Sequence, residues 1–173
     1  MRASRNGTVT LDWPNRDVAV SMARLYSRIL LGGKPCVETG KDSLTDVLAS
    51  GTLEDITARL NALMSAVDYQ AYPVRTEAEC LSCLQTLMIG AEMVPGVTAH
   101  EEAGRSALEV DAGNRRWVFE IKAARDGREA LRLLDQEVRA LEQKRPEEPS
   151  GKEPLMRAAL VFDLSNLSFL AAA

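Results

Sequence analysis

Ser106-Ala107-Leu108-Glu109-Val110-Asp111, Ala112-Gly113-Asn114-Arg115 and Arg116-Trp117-Val118-Phe119-Glu120-Ile121-Lys122 run consecutively, and this stretch decides the fold. Its two outer parts alternate apolar with polar side chains, the period of a strand with one buried face. Between them lie a glycine and an asparagine, the residues that best tolerate the backbone of a tight turn, so the segment reads as a β-hairpin. Alternation also fixes which side chains travel together: Glu120 and Lys122 project from one face of the second strand, Phe119 and Ile121 from the other.

Upstream of the hairpin, the pattern changes at Pro95-Gly96, after which Val97 to Glu101 reads as another short strand. Everything before that point reads as helix. Thr76 with Glu79 three residues later is a capping box, and it opens a helix from Glu77 to about Ala91 that buries Leu81, Leu84, Leu87 and Met88. Thr52 opens a helix with Leu53, Ile56, Leu60, Leu63 and Val67 on one stripe, and Ser43 to Ala49 forms a shorter one. A first helix, capped by Asn15 and ended by Gly32-Gly33, carries Val18, Met22, Leu25 and Ile29 at helical spacing, and a loop then runs to Asp42. Downstream, Asp126 with Glu129 caps a helix expected to face Leu131, Leu134, Val138 and Leu141 inward. The run from Lys144 to Pro154, with three prolines and almost nothing apolar, reads as a mobile loop. Ala158 to Leu164 and Leu167 to Ala171 are strands around Ser165-Asn166. Helix, three strands, helix, strands is the order of an α/β (α+β) fold, a mixed sheet flanked by helices.

A chain of 173 residues that is 46% hydrophobic and 27% charged suits a soluble protein with one good core. Met1 to Thr10 lacks the apolar region of a secretion signal, and no run approaches the roughly 20 apolar residues that span a bilayer, so a cytoplasmic location and no membrane partner are expected. Three cysteines make no disulfide framework. Cys80 and Cys83 share one helix face without a second pair to complete a zinc site, and read as small buried hydrophobes. His100 is the only histidine, which excludes a histidine-based triad or a multi-histidine metal centre. A net charge of −4 and a pI near 5.2 argue against a broad basic surface that holds duplex DNA by counterion release. Nucleic-acid contact would be local: Arg105, Arg116 and Arg125 are the candidate phosphate contacts in a cluster that includes Arg115, Arg128 and Arg132, although a solvated helix face accounts equally for the last two.

A carboxylate and an ammonium side by side on a strand, as at Glu120 and Lys122, suit phosphodiester hydrolysis. The carboxylate helps hold a divalent cation that polarises phosphate and acidifies water, and the lysine positions that water or offsets developing charge. A second carboxylate on the adjacent strand normally completes the site, because magnesium prefers oxygen ligands in near-octahedral geometry.

The stretch Gly104-Arg105-Ser106-Ala107-Leu108-Glu109-Val110, followed by Trp117-Val118-Phe119-Glu120-Ile121-Lys122, resembles the PD-(D/E)xK nuclease domain at the C-terminus of bacterial AAA-ATPase-like proteins, whose strands read G-R-x-D-hydrophobic and then F-E-x-K. Leu11-Asp12-Trp13-Pro14-Asn15-Arg16-Asp17-Val18 is similar to that family's L-x-x-P-N-x-E-V lead-in, and Val161-Phe162-Asp163 sits where its closing strand belongs. The resemblance implies a restriction-endonuclease-like core over residues 73–173, preceded by a helical N-terminal extension over 1–72. It also implies Mg (or Mn) as the cofactor if the site is active and none otherwise, with nucleic acid, a protein partner or an ATPase module as partner. Glu77 matches the first-helix glutamate that assists the metal in many members, although an acidic residue in a helix's first turn is favoured by the macrodipole whatever its function. Gln136 matches a glutamine of the second helix. Gly33-Lys34 and Gly40-Lys41 lack the G-x-x-x-x-G-K-[ST] phosphate loop, so the chain corresponds to a fragment or a free-standing remnant without the ATPase module.

One position departs from the pattern: the aspartate would fall at Ala107, which ligates nothing. Glu109 and Asp111 share that strand face, but each two-residue step moves a ligand by about 6.6 Å along the strand, beyond coordination tolerance. The primary expectation is therefore a nuclease-fold domain with a degenerate metal site that binds nucleic acid or a protein. The alternatives are an active magnesium-dependent nuclease using Glu109 or Asp111 with Glu120 and Lys122, and a structural interaction domain.

Overall fold

A computed structural model of the chain describes residues 2–3, 9–10, 16–33, 43–91, 93, 95–100, 105–143 and 155–173. The elements run β1 (Arg2–Ala3), β2 (Val9–Thr10), α1 (Arg16–Leu30), α2 (Leu44–Ser50), α3 (Leu53–Ser65), α4 (Glu77–Gly90), β3 (Gly96–His100), β4 (Arg105–Ala112), β5 (Arg115–Ala124), α5 (Gly127–Gln143), β6 (Leu155–Asp163) and β7 (Ser168–Ala172). The cap assigned to Asn15, Gly104 and the loop from Lys144 to Pro154 lie outside the described residues.

Five strands form one mixed sheet in the order β3-β4-β5-β6-β7, and β1 pairs with β2 in a separate two-stranded ribbon. The expected hairpin is the join of β4 and β5: Ala112 pairs with Arg115, and of the two turn residues only Gly113 takes a positive φ, the II′ arrangement that suits strand twist. β5 and β6 run parallel, with α5 crossing between them, while every other neighbouring pair in this sheet is antiparallel. The order helix, three strands, helix, two strands is the one the sequence predicts, and the sheet is open and flanked by helices.

Local chemistry explains the helix starts. Ser43 Oγ accepts from the Asp46 amide, and Thr52 with Asp55 and Thr76 with Glu79 both close reciprocal capping boxes. One face of the sheet, carrying Leu108, Val110, Trp117, Phe119, Ile121, Leu160 and Phe162, packs with Leu44, Leu48, Ile56, Leu60, Leu63, Leu84 and Leu87 of α2, α3 and α4 in the principal core. Cys80 and Cys83 are buried there too, and burial pushes the Cys83 thiol up to about 11, so both behave as small hydrophobes. The opposite face is covered by α5, where Ala130 meets Ala124 and Val161.

Two helix faces depart from expectation. Leu131, expected inward, is 61% exposed, because the close approach of α5 to the strands is made at the small Ala130 and carries Glu137 inward instead. In α1, Leu25 and Ile29 face solvent while Ser27 is buried, as is Leu31 just beyond the helix end. A Cβ on Gly90 of α4 would lie 2.2 Å from Ser27 Oγ, so α1 lies on α4 through small residues, with its larger apolar stripe turned away. No described helix is long and apolar enough to cross a membrane.

Candidate functional site

The alternation on β5 puts Val118, Glu120, Lys122 and Ala124 on the α5 side of the sheet. Glu120 is 2% exposed. The register places Ala107 of β4 directly opposite it and Ala159 of β6 on its other side, so the carboxylate stands between two methyl groups. Ala107 is itself 1% exposed, and its β-carbon occupies the position next to Glu120 where the G-R-x-D pattern would put an aspartate.

Lys122 lies two residues further along the same face, and its Nζ is 3.4 Å from Oε2 of Glu77, in the first turn of α4. Both side chains are mostly covered, which strengthens their attraction relative to a pair in bulk water. A 45-residue separation in sequence thus closes into one charge pair, and Glu77, Glu120 and Lys122 gather around one part of the sheet. The sequence points to all three.

The other candidates lie elsewhere. Glu109 pairs across the hairpin with Val118, and Asp111 with Arg116, so both sit on the turn side of Glu120 while Lys122 sits on the other. Arg116 bridges them: its Nη2 is 2.5 Å from Glu109 and its Nε 3.8 Å from Asp111. Arg125 is exposed and bonds Glu129 at 3.0 Å, an arrangement that holds the guanidinium more basic than usual and Glu129 below the ordinary carboxylate range. Arg105 belongs to β4 opposite His100, with its side chain outside the described set.

Gln136 faces solvent on α5, and its neighbour Glu137 is the buried carboxylate of that helix. Glu137 was missed by the sequence reading. The signal was its spacing from Leu134 and Leu141, at i+3 and i−4, which puts a carboxylate on the same stripe as two leucines.

Among the described residues, no group of three or more histidine, cysteine, aspartate or glutamate side chains is placed to hold a metal ion. A cavity of 570 Å³ lies between α1 and α4, lined by Leu30, Tyr72, Val74, Glu79, Cys83 and Thr86 among others, and none of the candidate residues borders it. No family model matches the chain, and no curated protein matches it.

Proposed function

We propose that residues 73–173 carry a restriction-endonuclease-like core of the PD-(D/E)xK type whose metal site is incomplete, and that the protein binds a partner without cutting it. The core reading is supported by the order α4, β3, β4, β5, α5, β6 and by the crossover that makes β5 and β6 parallel. The observation that carries the functional reading is the pairing of Ala107 with Glu120. Magnesium or manganese requires about six oxygen ligands at fixed geometry. The strands beside Glu120 offer two alanines, and the nearby Glu77 is already engaged by the Lys122 ammonium. These donors do not fit a cation shared by carboxylates of adjacent strands, and on this reading no hydrolytic step runs through one.

An active site built on Glu109 or Asp111 is less well supported. Both would have to leave Arg116 and shift along the strand by about 6.6 Å or more. The same ion pairs bear on the partner: with Arg116 and Arg125 offset by neighbouring carboxylates and a net charge of −4, a protein partner is favoured over nucleic acid.

The test is incubation with supercoiled plasmid and with single-stranded DNA in magnesium and in manganese, beside a Lys122→Ala control. The expected result is no cleavage above that control. Cleavage that disappears in Lys122→Ala and Glu120→Ala overturns the proposal.

A further inference from the structure

We infer that the outward stripe of α1 is a self-association surface, on which a second copy of this chain docks as an antiparallel helix pair. The inference stands independently of the nuclease-fold reading, because none of its residues belongs to the candidate site. Leu25 is 51% exposed, Tyr26 48% and Ile29 40%; these are three of the six exposed large apolar side chains among the described residues, gathered within five positions. Half-buried Val18 and Met22 extend the stripe toward the start of the helix. It is turned outward because the opposite face of α1 is committed to α4 at the close contact of Ser27 with Gly90.

The occupant follows from the symmetry of the stripe. Val18, Met22, Leu25 and Ile29 are arranged evenly about the bond between residues 23 and 24. A two-fold axis through that point, perpendicular to the helix, sets Val18 against Ile29 of the partner copy and Met22 against its Leu25, a self-complementary packing. In such a pairing, like flanks of the two helices face each other. Asp17 and Arg28 lie on the same flank, and the pairing brings Asp17 to within about 3 Å of the partner copy's Arg28 along the axis, twice over by symmetry. Neither residue makes an ion pair among the described residues. The macrodipole alone favours an acid at the start and a base at the end of a helix, but it does not require that they share the flank on which an antiparallel copy would pair them.

The test uses the full chain in sedimentation velocity over a concentration series. The wild type is expected to form a dimer, and Leu25→Glu with Ile29→Glu to be monomeric at every concentration. Far-UV dichroism should be unchanged, since both side chains face water in the single chain, and melting should fall no further than that of the wild type diluted to a monomer. Asp17→Arg and Arg28→Asp should each weaken the dimer about tenfold, because each change sets like charges together at both ends. Mixing the two single variants is the decisive arm: both contacts become attractive again in the heterodimer, so it should form in preference to either homodimer, at near wild-type strength. Any of three results overturns the inference: a wild type that stays monomeric, a dimer that survives the double glutamate change, or single variants that gain nothing on mixing.

Discussion

Ala107 puts a buried methyl group directly opposite Glu120, and that makes it a sharp probe of the site. An aspartate there would be a second carboxylate in a covered position beside Glu120, and without a compensating cation such burial costs about 2–4 kcal/mol. Ala107→Asp should therefore melt well below the wild type in chelator. If the two strands are spaced as a metal site requires, manganese at about 100 times its dissociation constant returns about 2.7 kcal/mol to the variant and nothing to the wild type. Thermal denaturation with and without manganese checks this, and a variant indifferent to the metal argues against the site as drawn. Asp163 gives a second, pH-dependent prediction. Burial opposes its charge, but hydrogen bonds from the Ser165 amide (2.8 Å), the Ser165 hydroxyl (2.7 Å) and the Asn166 side chain (2.7 Å) outweigh it and hold the carboxyl below its ordinary range. A depressed folded value means stability that is present above the unfolded value of about 3.9 and lost as pH falls through the folded one. Asp163→Asn should be less stable than the wild type by about 1–3 kcal/mol at neutral pH, with the gap closing below about pH 4 in urea titrations. At this scale the sequence was legible where a strand period governs, as at Glu120 and Lys122. It was illegible where helix phase matters by one residue: Leu131 looks like the buried residue, and the smaller Ala130 takes that place and brings Glu137 with it.

Caps and periods made most elements readable, since Thr52, Thr76 and Asp126 each bond the amide three residues on, a contact made entirely within the local segment. Contacts between elements left no such trace. The edge strand β7 is fastened by one side chain of α3: Asn61 Nδ2 donates to the Phe169 carbonyl at 3.0 Å, and the Phe169 amide donates back to Asn61 Oδ1 at 2.6 Å. A side-chain amide here imitates a neighbouring strand, satisfying both backbone groups of a residue whose ring packs on Phe162 at a centroid distance of 4.9 Å. Nothing in the sequence links positions 61 and 169. Asn61→Ala should cost about 1–3 kcal/mol, because it orphans a donor and an acceptor together, and Asn61→Asp should not restore the loss, because it sets a carboxylate oxygen against the Phe169 carbonyl. Chemical denaturation gives the totals, and amide exchange at β7 should speed up before exchange at β5 does, since the strand is released locally. The orientation of α1 was hidden for a related reason. A repeated apolar stripe says that a face is to be covered, and the small residues that in fact meet α4 carry almost no amphipathic signal.

Across the whole molecule, one core runs through both the helical segment before residue 73 and the sheet after it. Leu31, Leu44, Leu48, Ile56, Leu60, Leu63, Met64 and Val67 are buried with Trp117, Phe119, Ile121 and Phe162. The junction is polar as well as apolar, because the Trp117 indole donates to the Leu48 carbonyl and Arg115 to the Gly51 carbonyl, both at 2.8 Å. Those acceptors belong to the end of α2, where carbonyls lack partners within the helix, so the β4–β5 hairpin supplies the cap that the helix itself does not. Removing residues 1–72 would take α2 and α3 from one face of the sheet, leaving α4 as its only helical cover and uncovering part of the core around the stacked rings of Trp117 and Phe119, 5.3 Å apart. At about 1.5–3 kcal/mol for each large side chain uncovered, the loss over four such residues is comparable with the 5–15 kcal/mol that holds an ordinary domain together. The fragment 73–173 should therefore fail to unfold cooperatively, bind a hydrophobic dye, and give poorly dispersed amide resonances, even though α5 still covers the other face of the sheet. A fragment that melts as sharply as the whole chain would mean that α4 on one face and α5 on the other sustain the fold, and α2 and α3 would then be an appendage rather than a part of the core.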